Sequence, residues 1–518
     1  MRVVYPDQIR EIDRRCAYEY GIPTLDLMKN AGYAVYNEIL KRMGQNAQKI
    51  VFICGKGNNG GDGLAAAEHF SKQNAEVKVF LLEENSNYEV LKNIDSTAIV
   101  RLGDCNFDLL KRELGDADVI VDAIFGTGLN TDVIGLYAQV IDEINSVKEN
   151  NPGIRVAAID IPSGINGLTG AVMGSAVKAD ITVVLAALKA GNLIYPGKEY
   201  CGRMVVADIG VPEELLTAMK IKIFETEASL VKEVFPKRKA DSNKGTYAKV
   251  GIISGSAGMT GAGLMASKAA LRTGAGVVYN IVPQSLSYIY ETALLETVTI
   301  PVKTEELFFD EGSVDAAVCA CESMDVIAMG PGLGQEEATA EFLFELLRRI
   351  NSMENAYQKT LVLDADALNI IAEDISILKE IDMTCILTPH PGEMARLCGV
   401  SVKDVQADRI NSARFIAEEY EKIIVLKGVA TVTAFPDGNV YINPTGNPSM
   451  AKAGSGDVLC GIIAAMAAFS GSELAAPCGV YLHGLAGDIA CGKYGEYSVL
   501  AGDLIENISD AIMKITKK

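Results

Sequence analysis

The sequence predicts an α/β protein built as two successive domains, each a sheet flanked by helices with a ligand crevice beyond the carboxyl ends of its strands. Three observations carry this expectation. The 518 residues exceed what one ordinary core holds. Short apolar runs alternate with helix-period segments along both halves, the pattern of βαβ units. One apolar run after another ends in glycine, aspartate, serine or lysine, the residue types that meet ligands at such a crevice.

Bulk composition narrows the function. With 49% hydrophobic and 22% charged residues the chain has the profile of a folded soluble protein. A net charge of −20 without a long basic run argues against nucleic acid or an anionic membrane as partner, so any phosphate must be held locally by amides and a few lysines. The eleven cysteines form no CxxC pair, and Cys319 and Cys321 stand too close to bridge; they read as reduced thiols of a cytoplasmic protein. The N-terminus has no signal-peptide core, and the longest apolar run, Val458 to Phe469, is expected to be a buried helix.

Residues 6–43 are expected to be helical, with Met28, Ala31, Ala34, Val35 and Ile39 on one buried face. KIVFICGKGNNGGDGLAAAEHFSKQNAEVKVFLL then reads as strand, glycine loop, helix and strand. Gly55, Gly57 and Gly60 satisfy the GxGxxG spacing, a weak signal alone, whereas Asn58, Asn59 and Asp62 put three polar side chains in the mouth of the sheet. DVIVDAIFGTGLN repeats the pattern with Asp122, Gly126, Thr127 and Gly128, and RVAAIDIPSGINGLTG does so with Asp160, Ser163 and Gly164. Oxygens of Asn59, Asp122 and Ser163 have the chemistry to share a monovalent or hard cation; the alternative is that both aspartates merely cap loops. The strand ADITVVLAALKAGNL brings Lys189 to the same rim.

GKGNNGGDG, DAIFGTGL and DIPSG, in this order and spanning most of the first 210 residues, resemble the epimerase domain that handles hydrated NAD(P)H. The resemblance implies a Rossmann-like doubly wound domain with a potassium ion on Asn59, Asp122 and Ser163. It implies substrate contacts from Asn58, Asn59, Gly60, Gly61 and Asp62, and from Gly126, Thr127, Gly128, Leu129, Asn130, Thr131 and Asp132. Asp160 becomes the acid/base residue, and inverting a carbinolamine does need a proton shuttle.

Gly210-Val211-Pro212 closes the first half, and the charged stretch PKRKADSNKGT reads as a domain entrance. The boundary is placed near residue 222, giving domains 1–222 and 223–518. GSAGMTGAGLMASKAALRTGAG leads through Gly261 and Ala262 into a helix packed by small residues. Strand ends then recur at Gly330, Gly332 and Gly334, at Asp364 and Asp366, at His390 and Glu393, and at Lys427. His390 lies between two prolines rather than on an apolar face. Lys427 suits a phosphate, and Glu393 has the chemistry to hold magnesium through water. Ala453-Gly454-Ser455-Gly456-Asp457 then opens an apolar helix. Its converging amides and helix dipole make an anion site, and Asp457 on the first turn is placed as a base. A capping aspartate between turning glycines is the plainer account of this motif taken alone.

GPGLG, DADALN, TPHPGEMARL, LKGVAT and GNPSMAKAGSGD together resemble the ADP- or ATP-dependent NAD(P)H-hydrate dehydratase, a ribokinase-like α/β domain, over residues 240–515. This implies substrate contacts from Ala262, Gly332, Asp457 and the run His390, Pro391, Gly392, Glu393, Met394, Ala395 and Arg396. It implies nucleotide contacts from Lys427, Gly428, Val429, Ala430 and Thr431. A second nucleotide run comprises Asn447, Pro448, Ser449, Met450, Ala451, Lys452, Ala453, Gly454, Ser455 and Gly456.

The expected activity is repair of hydrated NADH and NADPH: the two epimers are interconverted, and the S form is dehydrated at the expense of ADP or ATP, with magnesium accompanying the nucleotide. Partners are these small molecules, and a homo-oligomer is expected. The rival reading is a vitamin-precursor type kinase carrying a non-catalytic ligand-binding module. A stable phosphorylated product would mark it.

Overall fold

The computed structural model describes residues 1–43, 47–73, 75–83, 94–95, 98–102, 107–235, 237, 240–241, 247–470 and 472–517; most of the stretch PKRKADSNKGT lies outside them. The chain divides into two compact units, Met1–Ile223 and Phe224–Lys518.

In the first unit a seven-stranded, all-parallel sheet runs in the order Ile99–Arg101, Glu76–Leu81, Lys49–Cys54, Val119–Ala123, Arg155–Ile159, Ile181–Leu185, Arg203–Ala207. The strand order reverses between Lys49–Cys54 and Val119–Ala123, so the loops after these two strands part and leave a crevice between them. Strand pleating sends Ile50, Phe52 and Cys54 to one face, under helices Thr24–Met43 and Asn58–Ser71. Val51 and Ile53 go to the other, under Phe107–Gly115 and Gly135–Asn150. Both faces are covered, as a parallel sheet requires.

Two local expectations are corrected. The segment 6–43 is two helices, Pro6–Glu19 and Thr24–Met43. Gly21 takes φ +65° and Pro23 withholds a donor, which together stop the first helix. The strand expected to run on to Lys189 ends at Leu185; Ala186 turns at φ +61°, and Leu188–Lys189 pairs instead with Arg2–Val4.

In the second unit the strand order is Val298–Val302, Val277–Pro283, Lys249–Ile253, Val326–Met329, Thr360–Leu363, Thr384–Leu387, Ile423–Leu426, all parallel, extended by the antiparallel pair Val432–Ala434 and Val440–Ile442. Its switch point falls between Lys249–Ile253 and Val326–Met329. Helices Thr260–Thr273, Ser455–Ser470, Ser472–Tyr494 and Ala501–Thr516 contribute to one large apolar core. A Cβ on Gly461 would lie 2.0 Å from the Ala266 carbonyl oxygen, so small residues let the first two of these helices touch backbone to backbone. The run Val458 to Met466 is buried as expected. No helix among the described residues is long and apolar enough to cross a membrane, and every described cysteine is free.

Candidate functional sites

The crevice of the first unit is a cavity of about 460 Å³. Asn58, Asn59 and Asp62 reach it from the start of helix Asn58–Ser71, and Gly126 to Thr131 from the loop after Val119–Ala123. Asp160 enters from the end of Arg155–Ile159, and Lys189 from beyond Ile181–Leu185. Gly55 allows the two loops to meet: a Cβ there would stand 2.1 Å from the Ile124 carbonyl oxygen. Asp160 sits at φ +67°, a conformation aspartate tolerates better than most side chains. Its Oδ1 accepts from the Leu185 amide at 3.0 Å and from the buried Lys189 ammonium, whose Nζ also donates to the Leu185 carbonyl at 2.7 Å. Burial, together with the Asp160 charge and against the pull of Lys189, raises Asp13 to about 6. Asp62 is driven well up by burial, then by Asp160 and Asp13.

Asn59 also belongs, with Asp122 and Ser163, to the residues expected to hold a cation. Asp122 is fully buried; its carboxylate accepts from the Ser163 hydroxyl at 2.5 Å, the Ser163 amide at 2.7 Å and the Ile124 amide at 3.2 Å. Burial still outweighs these bonds and pushes it up to about 6. The Asn59 amide nitrogen donates to the Phe125 carbonyl at 2.9 Å, while its buried Oδ1 has no hydrogen-bond partner. An orphaned amide oxygen beside a buried carboxylate and a hydroxyl fits a weakly hydrated cation that takes only oxygen ligands.

In the second unit, Lys427 at the end of Ile423–Leu426 donates to Asp364 Oδ1 at 2.6 Å and lies 3.8 Å from Glu393 Oε2. Burial works against the ammonium, but Asp364 and then Glu393 outweigh it and hold Lys427 above its ordinary value. A Cβ on Gly456 would be 3.5 Å from Lys427 Nζ, so the ammonium faces the glycine turn that opens helix Ser455–Ser470. The first amides of that helix lack helical acceptors. Asp457, on the first turn, is raised to about 6 by burial and by Asp364, with Lys427 opposing. Across the switch point, Gly332 approaches Met259 and Ala262 so closely that a Cβ would stand 2.4 Å from the Met259 carbonyl. Helix Ser472–Tyr494 backs the loop before Asp457. Its Asp488 takes the Gly446 amide at 3.1 Å and the Asn447 side chain at 2.8 Å, its Tyr481 carbonyl takes the Thr445 hydroxyl at 2.9 Å, and its His483 meets Ser455 Oγ at 3.3 Å.

Comparison with known proteins supplies the family. Residues 24–191 match the profile of the YjeF-related protein N-terminus, and residues 250–510 that of NAD(P)H-hydrate dehydratase. The bifunctional NAD(P)H-hydrate repair enzyme Nnr of Moorella thermoacetica is 40% identical over 98% of this chain and 96% of its own. That of Thermofilum pendens is 38% identical over 99% and 96%. The chain belongs to the bifunctional NAD(P)H-hydrate repair enzymes. A solved ADP/ATP-dependent NAD(P)H-hydrate dehydratase from Bacillus subtilis, co-crystallised with ATP and magnesium, is similar at 30% identity, covering 57% of this chain and 99% of that one with a TM-score of 0.49.

With the repair family established, a Rossmann-like doubly wound unit followed by a ribokinase-like one is the fold observed. The structure brings some of the site residues expected from sequence together and sets others apart. Asn58, Asn59, Asp62, Gly126 to Thr131 and Asp160 share one cavity. Gly60 and Gly61 are buried in the helix turn behind it, and Asp132 is exposed outside its wall. In the second unit Lys427, Gly456 and Asp457 converge, whereas Val429, Ala451, Lys452 and Ala453 are exposed; Lys452 reaches the Tyr497 carbonyl at 2.7 Å. Met394 turns wholly into the core and Ala395 is buried, so that helix meets the crevice chiefly through its first turn. Arg396 is held by Asn369 at 2.7 Å.

His390 and Glu393 hold a capping box: His390 Nδ1 accepts from the Gly392 and Glu393 amides, and Glu393 Oε2 takes the His390 amide at 2.6 Å. Burial lifts Glu393 to about 7 against the pull of Lys427. Its Oε1 faces His390 Nε2 at 3.4 Å, so this carboxylate also serves the cap of its own helix. Sequence reasoning missed Asp13, His483 and Asp488. Asp13 follows the apolar Ile9 and Ile12 on its helix and precedes Cys16, a polar side chain at a buried edge. That placement was its only signal.

Proposed function

We propose that the second unit dehydrates S-NAD(P)HX with Asp457 as base and that the first unit epimerises NAD(P)HX around Asp160. The observation that carries the reading is the convergence of Asp457, Lys427 and the glycine turn beyond the carboxyl ends of the strands. Asp457 takes the proton of the substrate hydroxyl, whose oxygen attacks the terminal phosphorus of ADP or ATP as the bond to the leaving nucleotide breaks. The amides of Gly454 to Asp457 and the Lys427 ammonium stabilise the charge on the transferred group. The ring nitrogen then expels phosphate, and loss of a proton from the neighbouring ring carbon restores NADH or NADPH. Magnesium enters with the nucleotide phosphates.

In the first unit Asn59, Asp122 and Ser163 would hold a potassium ion, and Asn58, Asp62 and the loop Gly126 to Thr131 would orient the hydrated ring. When bound, the ion would supply a fixed positive charge close to Asn59 and hence to the pocket. A cytoplasmic, homo-oligomeric enzyme is part of the same reading. Mixed NADHX epimers supplied with ADP or ATP should be converted to NADH, followed at its absorbance band, with release of inorganic phosphate. A stable phosphorylated product without NADH would instead favour the small-molecule kinase.

A further inference from the structure

We propose that Asp13, on helix Pro6–Glu19, is the acid that protonates the substrate hydroxyl during epimerisation, working against Asp160 as base. The proposal rests on the epimerase reading given above. Inverting a carbinolamine by loss and return of water needs two groups, one to give a proton to the departing hydroxyl and one to take a proton from the water that enters on the other face. The cavity supplies carboxylates from three elements: Asp13 on helix Pro6–Glu19, Asp62 on helix Asn58–Ser71, and Asp160 after strand Arg155–Ile159. Their arrangement divides the roles. Lys189, buried at 1% exposure, is paired with Asp160, and a carboxylate held against an ammonium is suited to accepting a proton.

Other polar groups at the cavity wall are committed elsewhere. Lys56 donates to Glu83 at 3.0 Å, Tyr137 donates to the same carboxylate at 2.5 Å, and Arg10 pairs with Asp7. Asn58, Asn59, Thr127, Asn130 and Thr131 carry no proton acidic enough to transfer. Asp13 and Asp62 remain. The charged or titratable groups around Asp13 are Asp62, Asp160 and Lys189 from the elements facing it, with Arg10 and Cys16 on its own helix. Burial and the Asp160 charge leave Asp13 near 6, close enough to working pH for a proton to be both held and given, while Asp62 is held far higher.

The step balances. Asp13 gives its proton to the hydroxyl, the carbon–oxygen bond breaks, and water leaves as the ring nitrogen's lone pair forms a carbon–nitrogen double bond. Water adds to the opposite face of that carbon and loses a proton to Asp160. The proton returns from Asp160 to Asp13 through the cavity the two share, and no oxidant or reductant is consumed.

The test uses the full chain, whose second unit reports the first. R-NADHX with ADP gives NADH only after epimerisation, whereas S-NADHX gives it directly; the uncatalysed epimerisation rate is subtracted from the former. Asp13→Asn should lower the enzymatic R-epimer rate on the order of 10²-fold or more and leave the S-epimer rate unchanged. Between pH 5 and 8 the wild-type R-epimer rate should fall as pH rises through about 6, where Asp13 loses its proton. That limb should vanish in Asp13→Asn and shift in Asp13→Glu, a readout that poor folding of either variant does not mimic. A full R-epimer rate in Asp13→Asn, or an unmoved limb in both variants, overturns the assignment of Asp13. A wild-type chain that fails to speed R-epimer repair at all overturns the epimerase reading itself.

Discussion

Lys427 Nζ and Asp364 Oδ1 lie 2.6 Å apart, and the ammonium of this pair faces the glycine turn at the start of helix Ser455–Ser470. Asp364 is 1% exposed, so its negative charge is bearable only beside that ammonium. The pair fixes where Lys427 stands, and on the proposed mechanism that ammonium stabilises the transferred group. Asp364→Asn should therefore lower kcat/KM for S-NADHX dehydration by about 10- to 100-fold, the worth of a hydrogen bond to a charged group. R-to-S epimerisation, measured by separating the two epimers, should not change.

Asp457→Asn should reduce dehydration by about 10²- to 10⁴-fold, the range for loss of a general base. Because burial and Asp364 raise Asp457 to about 6 with Lys427 opposing, the proposed base would be spent below that pH and free above it. The kcat of the wild-type chain for S-NADHX should rise with pH through about 6 and level off, and Asp457→Asn should lose that rise.

The first unit should respond to potassium. Replacing it with choline should slow epimerisation and lower the melting temperature, since a cation bound only by the folded pocket stabilises it by mass action. Asn59→Ala removes the orphaned oxygen and should blunt both responses while leaving S-NADHX dehydration intact.

Gly330 tests how tightly the second crevice is built. It sits at φ +121°, and a Cβ there would stand 1.8 Å from the Asp364 carbonyl oxygen. Gly330→Ala should cost about 2–4 kcal/mol of stability from backbone strain and overpacking, read by urea unfolding. It should also displace Asp364 and weaken dehydration.

What could be read from sequence was what lies at strand ends. Asp160 and Lys427 follow apolar runs directly and Asp457 opens one, and the chain's rhythm of strand, loop and helix brings such positions to one edge of a sheet. Asp364 was visible as a strand end, but its bond to Lys427 spans 63 positions and left no local trace. Asp13 lies in mid-helix, where acidic residues ordinarily face water, and only the docking of helix Pro6–Glu19 turns it to the cavity. His390 shows the reverse: its place between prolines suggested ligand contact, and much of its chemistry goes into capping its own helix.

The loop that would grip the nucleotide takes its shape from Tyr481, His483 and Asp488, three residues on a helix standing behind it. On the proposed reading, selectivity for one phosphate donor over another would be adjustable from the helix that backs the loop. Where relatives of this chain have drifted apart in their choice between ADP and ATP, residues 481–488 are the place to look for the substitutions responsible.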